Sequence, residues 1–182
     1  MVALLRGVNV GGRTKLAMAD LREAAAACGY EHVRTYIQSG NLVFSTSTRS
    51  TSVVAERLRK ALAETTDLDP AVIVRTAEEL RAVVEKNPYV ERGEDPAHLH
   101  VVFTSGAAAK ASLGSLDLAR YAPEEASAVG QQLYLYLPSG LGRSRLAADL
   151  ARQKGPPGTT RNWRTVTKLV AMTDETGREE RG

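Results

Sequence analysis

The chain has 182 residues, of which 43% are apolar and 25% charged, with a formal net charge of +3. That supplies a real core and an ordinary polar surface, and the mildly basic balance favours anionic partners without proving one. A single cysteine, Cys28, excludes an internal disulfide, and no stretch approaches the length of a membrane span.

The opening run Val2–Arg6 is apolar and ends in the glycine-rich stretch GVNVGGRTK, so it reads as a buried strand. Leu16, Met18, Leu21, Ala24, Ala25 and Cys28 then recur at helical spacing, with Gly29 as a stop signal. HVRTYIQ and NLVFST read as two strands around the tight turn Ser39-Gly40. Val53–Thr65 is predicted as a second amphipathic helix, with Val54, Leu58 and Leu62 on one face, and Ala71–Thr76 as a fourth strand. The order is βαββαβ, the ferredoxin-like unit.

A similar pattern then recurs. Ala77–Glu85 is predicted as a linking helix and KNPYVERGEDP as a loop. HLHVVFTS reads as a strand, Ala107–Asp117 as a weak helix, and EASAVG with QQLYLYLP as a hairpin around Gly130. Two helices follow, Arg143–Gln153 and Thr160–Met172, which makes βαββα with a helix where a fourth strand would stand. The expected class is therefore α+β, two ferredoxin-like subdomains with antiparallel sheets. The expected divisions are 1–76, a linking helix and loop over 77–97, a second subdomain over 98–173, and a disordered charged tail over 174–182.

Three blocks, ALLRGVNVGG at the start, YIQSGNLVF in the first hairpin and TTRNWRTVTKL near the end, resemble the bacterial family catalogued as domain of unknown function 1697. The resemblance runs to about Ala171. It implies a two-subdomain α/β structure built from ferredoxin-like halves and carries no activity to transfer.

The residues suggest two anion-binding candidates. From Arg143 to Lys168 seven Lys and Arg face one acid, Asp149. If a helix starts near Thr160, then Arg161, Arg164, Thr165 and Lys168 share one face at i, i+3, i+4 and i+7, beside free amides and the hydroxyl of Thr160, with Asn162 adding an amide. The alternative is a capped, solvated helix anchored by Trp163. The second candidate is the edge where the first strand ends beside the start of the third. There Arg6, Asn9, Ser39 and Asn41 meet, with Gln38 close by and Arg13 and Lys15 on the adjacent loop; the glycines match no nucleotide fingerprint.

Tyr134 and Tyr136 share one face of their strand and could stack bases or pair two copies, although burial explains them as well. His98 and His100 lack an evident third ligand, so no metal is expected, and no cofactor is called for. Cys28, at a helix C-terminus, reads as a small core residue.

Together these features suggest a cytoplasmic binder of a phosphate-bearing or other anionic ligand, a nucleotide or nucleic acid. Its binding set would be Arg6, Asn9, Ser39, Asn41, Thr160, Arg161, Asn162, Arg164 and Lys168, with no membrane association. Two alternatives stand beside it. One is an enzyme acting on a small anionic substrate in the cleft between the subdomains, with its catalytic residues open. The other is a sheet-mediated interaction module, compatible with a homodimer.

Overall fold

The computed structural model describes residues 1–11, 15–104, 109–153 and 158–179. Residues 12–14, among them Gly12 and Arg13, residues 105–108, residues 154–157, among them Lys154, and residues 180–182 lie outside the described residues. The chain divides into two units, Met1–Arg81 with Lys168–Gly182, and Ala82–Thr167.

In the first unit the elements are β1 (Val2–Leu5), α1 (Met18–Ala27), β2 (Glu31–Tyr36), β3 (Asn41–Ser45), α2 (Thr51–Thr66) and β4 (Val72–Arg75). The sheet order is β2-β3-β1-β4, and every pairing is antiparallel. β1 lies between two neighbours and all four of its residues are buried, which is why it reads as an unbroken apolar run rather than an alternating one. Ala3, Leu5, Leu42, Phe44 and Val74 form one face of the core with Leu21 and Ala24 of α1 and Leu58 and Leu62 of α2. Each such leucine contributes about 1.5–3 kcal/mol on burial. Ser50 caps α2, its hydroxyl accepting from the Val53 amide at 3.4 Å. The helix α3 (Ala77–Glu85) opens on a reciprocal cap. The Thr76 hydroxyl accepts from the Glu79 amide at 3.1 Å, and the Glu79 carboxylate accepts from the Thr76 amide at 2.9 Å.

The second unit contains β5 (Leu99–Thr104), α4 (Ala109–Gly114), β6 (Glu125–Val129), β7 (Gln132–Tyr136), α5 (Arg145–Arg152) and β8 (Gly158–Asn162). Its sheet runs β6-β7-β5-β8, again antiparallel throughout. Leu133, Leu135 and Leu137 alternate along β7 and its continuation and pack with Ala109, Leu146 and Leu150. The last helix, α6 (Trp163–Glu179), follows β8 directly.

β8 is the main correction to the sequence reading. A helix was expected from Thr160, and the segment is a strand as far as Asn162. The reason is a vacant sheet edge: β5 needs a partner on the side away from β7, and Gly158–Asn162 supplies it in register, from Thr104 opposite Gly158 to His100 opposite Asn162. Two β-branched threonines suit that pairing. Gly158 suits it too, since an added Cβ would stand 3.1 Å from a Val102 methyl. The second half therefore runs βαββαβ and not βαββα. α6 also continues through 174–179, where the sequence reading placed a disordered tail.

Candidate functional site

Four of the residues picked from the sequence gather at one end of the first sheet. The end of β1 and the start of β3 are tied by the Leu5 amide donating to the Gly40 carbonyl at 2.9 Å. Gly40 has a φ of 69°, and a Cβ there would lie 2.5 Å from a Val8 methyl and 2.8 Å from the Leu5 Cβ, so only glycine lets the turn close onto the loop. Asn9, itself at a φ of 55°, spans the gap. Its side-chain amide donates to the Leu16 carbonyl at 2.9 Å and the Gln38 carbonyl at 2.7 Å, and its oxygen accepts from the Leu16 amide at 2.9 Å.

Asn41 is buried and braces the turn, donating to the Tyr36 carbonyl at 3.0 Å and the Ser39 hydroxyl at 2.9 Å. Asn9 and Asn41 are therefore scaffold: their amides hold the two loops together. What the edge presents outward is different. Arg6, Lys15 and Gln38 are exposed, and Arg6 and Lys15 carry no ion pair among the described residues. Val10 is 67% and Ile37 52% exposed. Ile37 holds a φ of 49°, which a β-branched residue adopts only under strain from its surroundings.

The other five residues do not form the cationic helix face expected of them. Arg161 opposes Val101 in the sheet and is buried, its guanidinium donating to the Thr159 hydroxyl at 2.6 Å and the Thr160 carbonyl at 2.9 Å. Burial pushes its pKa down to about 10. Thr160 and Asn162 face the opposite side of the strand. Asn162 caps α6: its oxygen accepts from the Arg164 amide at 2.9 Å, while its amide nitrogen donates to the Ala97 carbonyl at 3.0 Å and approaches His100 Nε2 at 3.5 Å. Arg164 is exposed and paired with Asp95 at 3.2 Å. Lys168 is exposed one turn further along α6.

His100 is buried, and its Nδ1 lies 3.3 Å from the His98 carbonyl, which fixes the proton on that nitrogen. Among the described residues no group of three His, Cys, Asp or Glu could hold a metal ion. Tyr134 is 1% exposed and donates to the Val83 carbonyl at 3.0 Å, so it offers no stacking surface. Burial raises the Tyr134 pKa to about 12. Tyr136 lies under the guanidinium of Arg92, 5.1 Å from its ring centre. Among the described residues no helix is long and apolar enough to cross a membrane.

The sequence reading missed a cleft of about 740 Å³ in the first unit, formed where the segment after β3, the start of α3 and the last turns of α6 come together. Arg49, Glu78, Arg81 and Asp174 are the charged side chains that line it. No local spacing could have joined three segments so far apart in sequence.

Residues 1–134 match the family described as protein of unknown function (DUF1697). The match takes in the first two sequence blocks and stops short of the third. One solved structure, the conserved bacterial protein SP0830 from Streptococcus pneumoniae, is similar with a TM-score of 0.71 and 24% identity, over 94% of this chain and 97% of that one. At that identity the likeness concerns the fold alone. No curated protein matches the chain.

Proposed function

Because this chain belongs to the DUF1697 family, whose function is unknown, its role has to be read from its own surface, and we propose that it binds a phosphate-bearing or other anionic ligand at the edge where β1 meets β3. The observation that carries the reading is the Asn9 clamp. One side chain fixes both the glycine-rich loop and the hairpin turn, and the exposed cations Arg6 and Lys15 flank that braced edge. A guanidinium beside a fixed backbone turn meets a phosphate at low entropic cost. Val10 and Ile37 add apolar surface for the uncharged part of a nucleotide.

In this reading Arg6 contacts the ligand, Ser39 and Gln38 lie beside it, and Asn9 and Asn41 position the loops. The β8 and α6 residues contribute less: Arg161 is turned inward, Asn162 is spent as a cap and Arg164 is paired with Asp95. The ferredoxin-like description of each half and a cytoplasmic setting belong to the same proposal. The element order and the sheet orders β2-β3-β1-β4 and β6-β7-β5-β8 support the former, and the single cysteine supports the latter.

The test titrates AMP and a single-stranded oligonucleotide against the wild type and Arg6→Ala, at low and high salt. Arg6 is exposed, so the variant keeps its fold. Loss of binding in Arg6→Ala supports the site, and unchanged binding sinks it. A steep fall with salt for the oligonucleotide alone identifies nucleic acid as the source of the phosphate.

A further inference from the structure

We infer that the cleft formed by the segment after β3, the start of α3 and the end of α6 is a second binding site, which takes a phosphorylated polyol such as a sugar phosphate. It lies at the end of the first sheet opposite the Asn9 clamp: Met1, Ser45 and Thr76 line it, whereas Arg6 and Gly40 lie at the far ends of β1 and β3. Its volume of about 740 Å³ suits a small molecule.

The lining chemistry selects the ligand. Arg81 grips a single oxygen of Asp174, through Nε at 3.1 Å and Nη2 at 2.6 Å. No hydrogen bond among the described residues engages the other carboxylate oxygen. A donor-rich guanidinium beside a half-used carboxylate is what two adjacent hydroxyls require, because each hydroxyl both donates and accepts. The threonines point the same way. Thr173 has already donated to the Val170 carbonyl at 2.7 Å, so it offers lone pairs and needs a donor from the ligand. An apolar ligand would strand these groups, and a bare anion would find acceptors where it needs donors.

Arg49 supplies the other half of the specificity. It is exposed, lines the cleft and makes no ion pair among the described residues. Its planar fork matches phosphate oxygens in pairs. The Glu78 carboxylate, which also lines the cleft, makes no ion pair with Arg49 among the described residues; its side chain is 80% exposed and lies 3.8 Å from Arg81 Nη1. Hydrogen bonding with its own backbone amide and the Thr76 hydroxyl holds its pKa below the usual carboxylate range. A ligand lying across the cleft would thus put its phosphate on Arg49 and its hydroxyls on Asp174, Arg81 and Thr173.

The experiment follows ribose 5-phosphate, ribose and inorganic phosphate by amide chemical-shift titration of the intact chain, in the wild type, Arg49→Ala, Asp174→Asn, Thr173→Val and Arg6→Ala. The expected result is binding of ribose 5-phosphate with shifts at Thr46, Thr76 and Thr173. Affinity falls about tenfold or more in Arg49→Ala, as for a lost charge-assisted contact, and is unchanged in Arg6→Ala. Absence of binding, or binding that Arg49→Ala leaves intact, overturns the site. Inorganic phosphate binding as tightly as ribose 5-phosphate overturns the polyol, and ribose binding as tightly overturns the phosphate. Asp174→Asn keeps the shape of the side chain but could loosen α6. Thr173→Val, which leaves the Arg81 bridge intact, is therefore the second variant, and it too should weaken ribose 5-phosphate but not inorganic phosphate. Arg6→Ala separates this site from the edge site, so either can fail alone.

Discussion

Arg34 on β2 reaches Glu175 near the end of α6, with Nη1 3.0 Å from its carboxylate, while Nη2 donates to the Met172 carbonyl at 2.7 Å and the Thr176 hydroxyl at 2.8 Å. These bonds are not equal. The pair with Glu175 is exposed and screened, so Glu175→Gln should cost under about 0.5 kcal/mol. The bonds to Met172 and Thr176 are partly buried, so Arg34→Ala should cost about 1–3 kcal/mol. Urea unfolding of both variants checks the order, and equal losses would mean that the ion pair is the main bond.

Gly40→Ala should destabilise the first unit more than a surface glycine substitution does. The new methyl meets Val8 and Leu5 at distances that real contacts never show, and the φ of 69° is unfavourable for alanine. A loss of about 2–4 kcal/mol in a thermal melt is expected. Gly93→Ala, at a φ of 71° with open space around it, is the control for the backbone effect alone and should cost about 1 kcal/mol.

His100 sets a pH dependence. Burial holds its pKa below the usual value, with the hydrogen bond to the His98 carbonyl opposing part of the shift. The unfolded chain therefore takes up a proton below about pH 6.5 that the folded chain refuses, and stability falls as the pH drops through that value. Above it the contribution is fully present. Unfolding midpoints from about pH 7.5 to about 5.5 should decline in the wild type and flatten in His100→Gln. The lowered carboxylates, Asp95 and Asp149 among them, act only in a more acidic window, since their pKa values lie below the usual carboxylate range.

The start of α5 is held twice. Ser144 accepts from the Ala147 amide at 2.9 Å, and Glu124 accepts from the Leu146 amide at 2.9 Å and from the Ser144 hydroxyl at 3.1 Å. Ser144→Ala removes one cap and leaves Glu124 short of a donor, so a loss of about 1–2 kcal/mol is expected by chemical denaturation. A loss no larger than that of an exposed serine elsewhere would mean that Glu124 alone suffices.

Most strands and helices were legible because one face of each is apolar: Val54, Leu58 and Leu62 announce α2, and the leucines of β7 announce a strand. β8 was not, for a physical reason. Arg161, Arg164, Thr165 and Lys168 fit a helical repeat by coincidence, while the force that makes Gly158–Asn162 a strand is β5, some sixty residues earlier. The meeting of the glycine-rich loop with the hairpin turn followed from strand order, and the sequence named Arg6, Asn9, Ser39 and Asn41 for it. What it could not say is which of them are already spent: the Asn9 and Asn41 amides point at carbonyls and a hydroxyl of the protein itself. The cleft at Arg49 and Asp174 was illegible altogether, since only the finished fold brings those segments together.

The Arg34–Glu175 contact joins residues 141 positions apart, and the first unit takes its final stretch, Lys168–Gly182, from the very end of the chain. During synthesis the N-terminal sheet therefore emerges before the helix it packs with, and the bonds of Arg34 to α6 can form only after the whole of Ala82–Thr167 has been made.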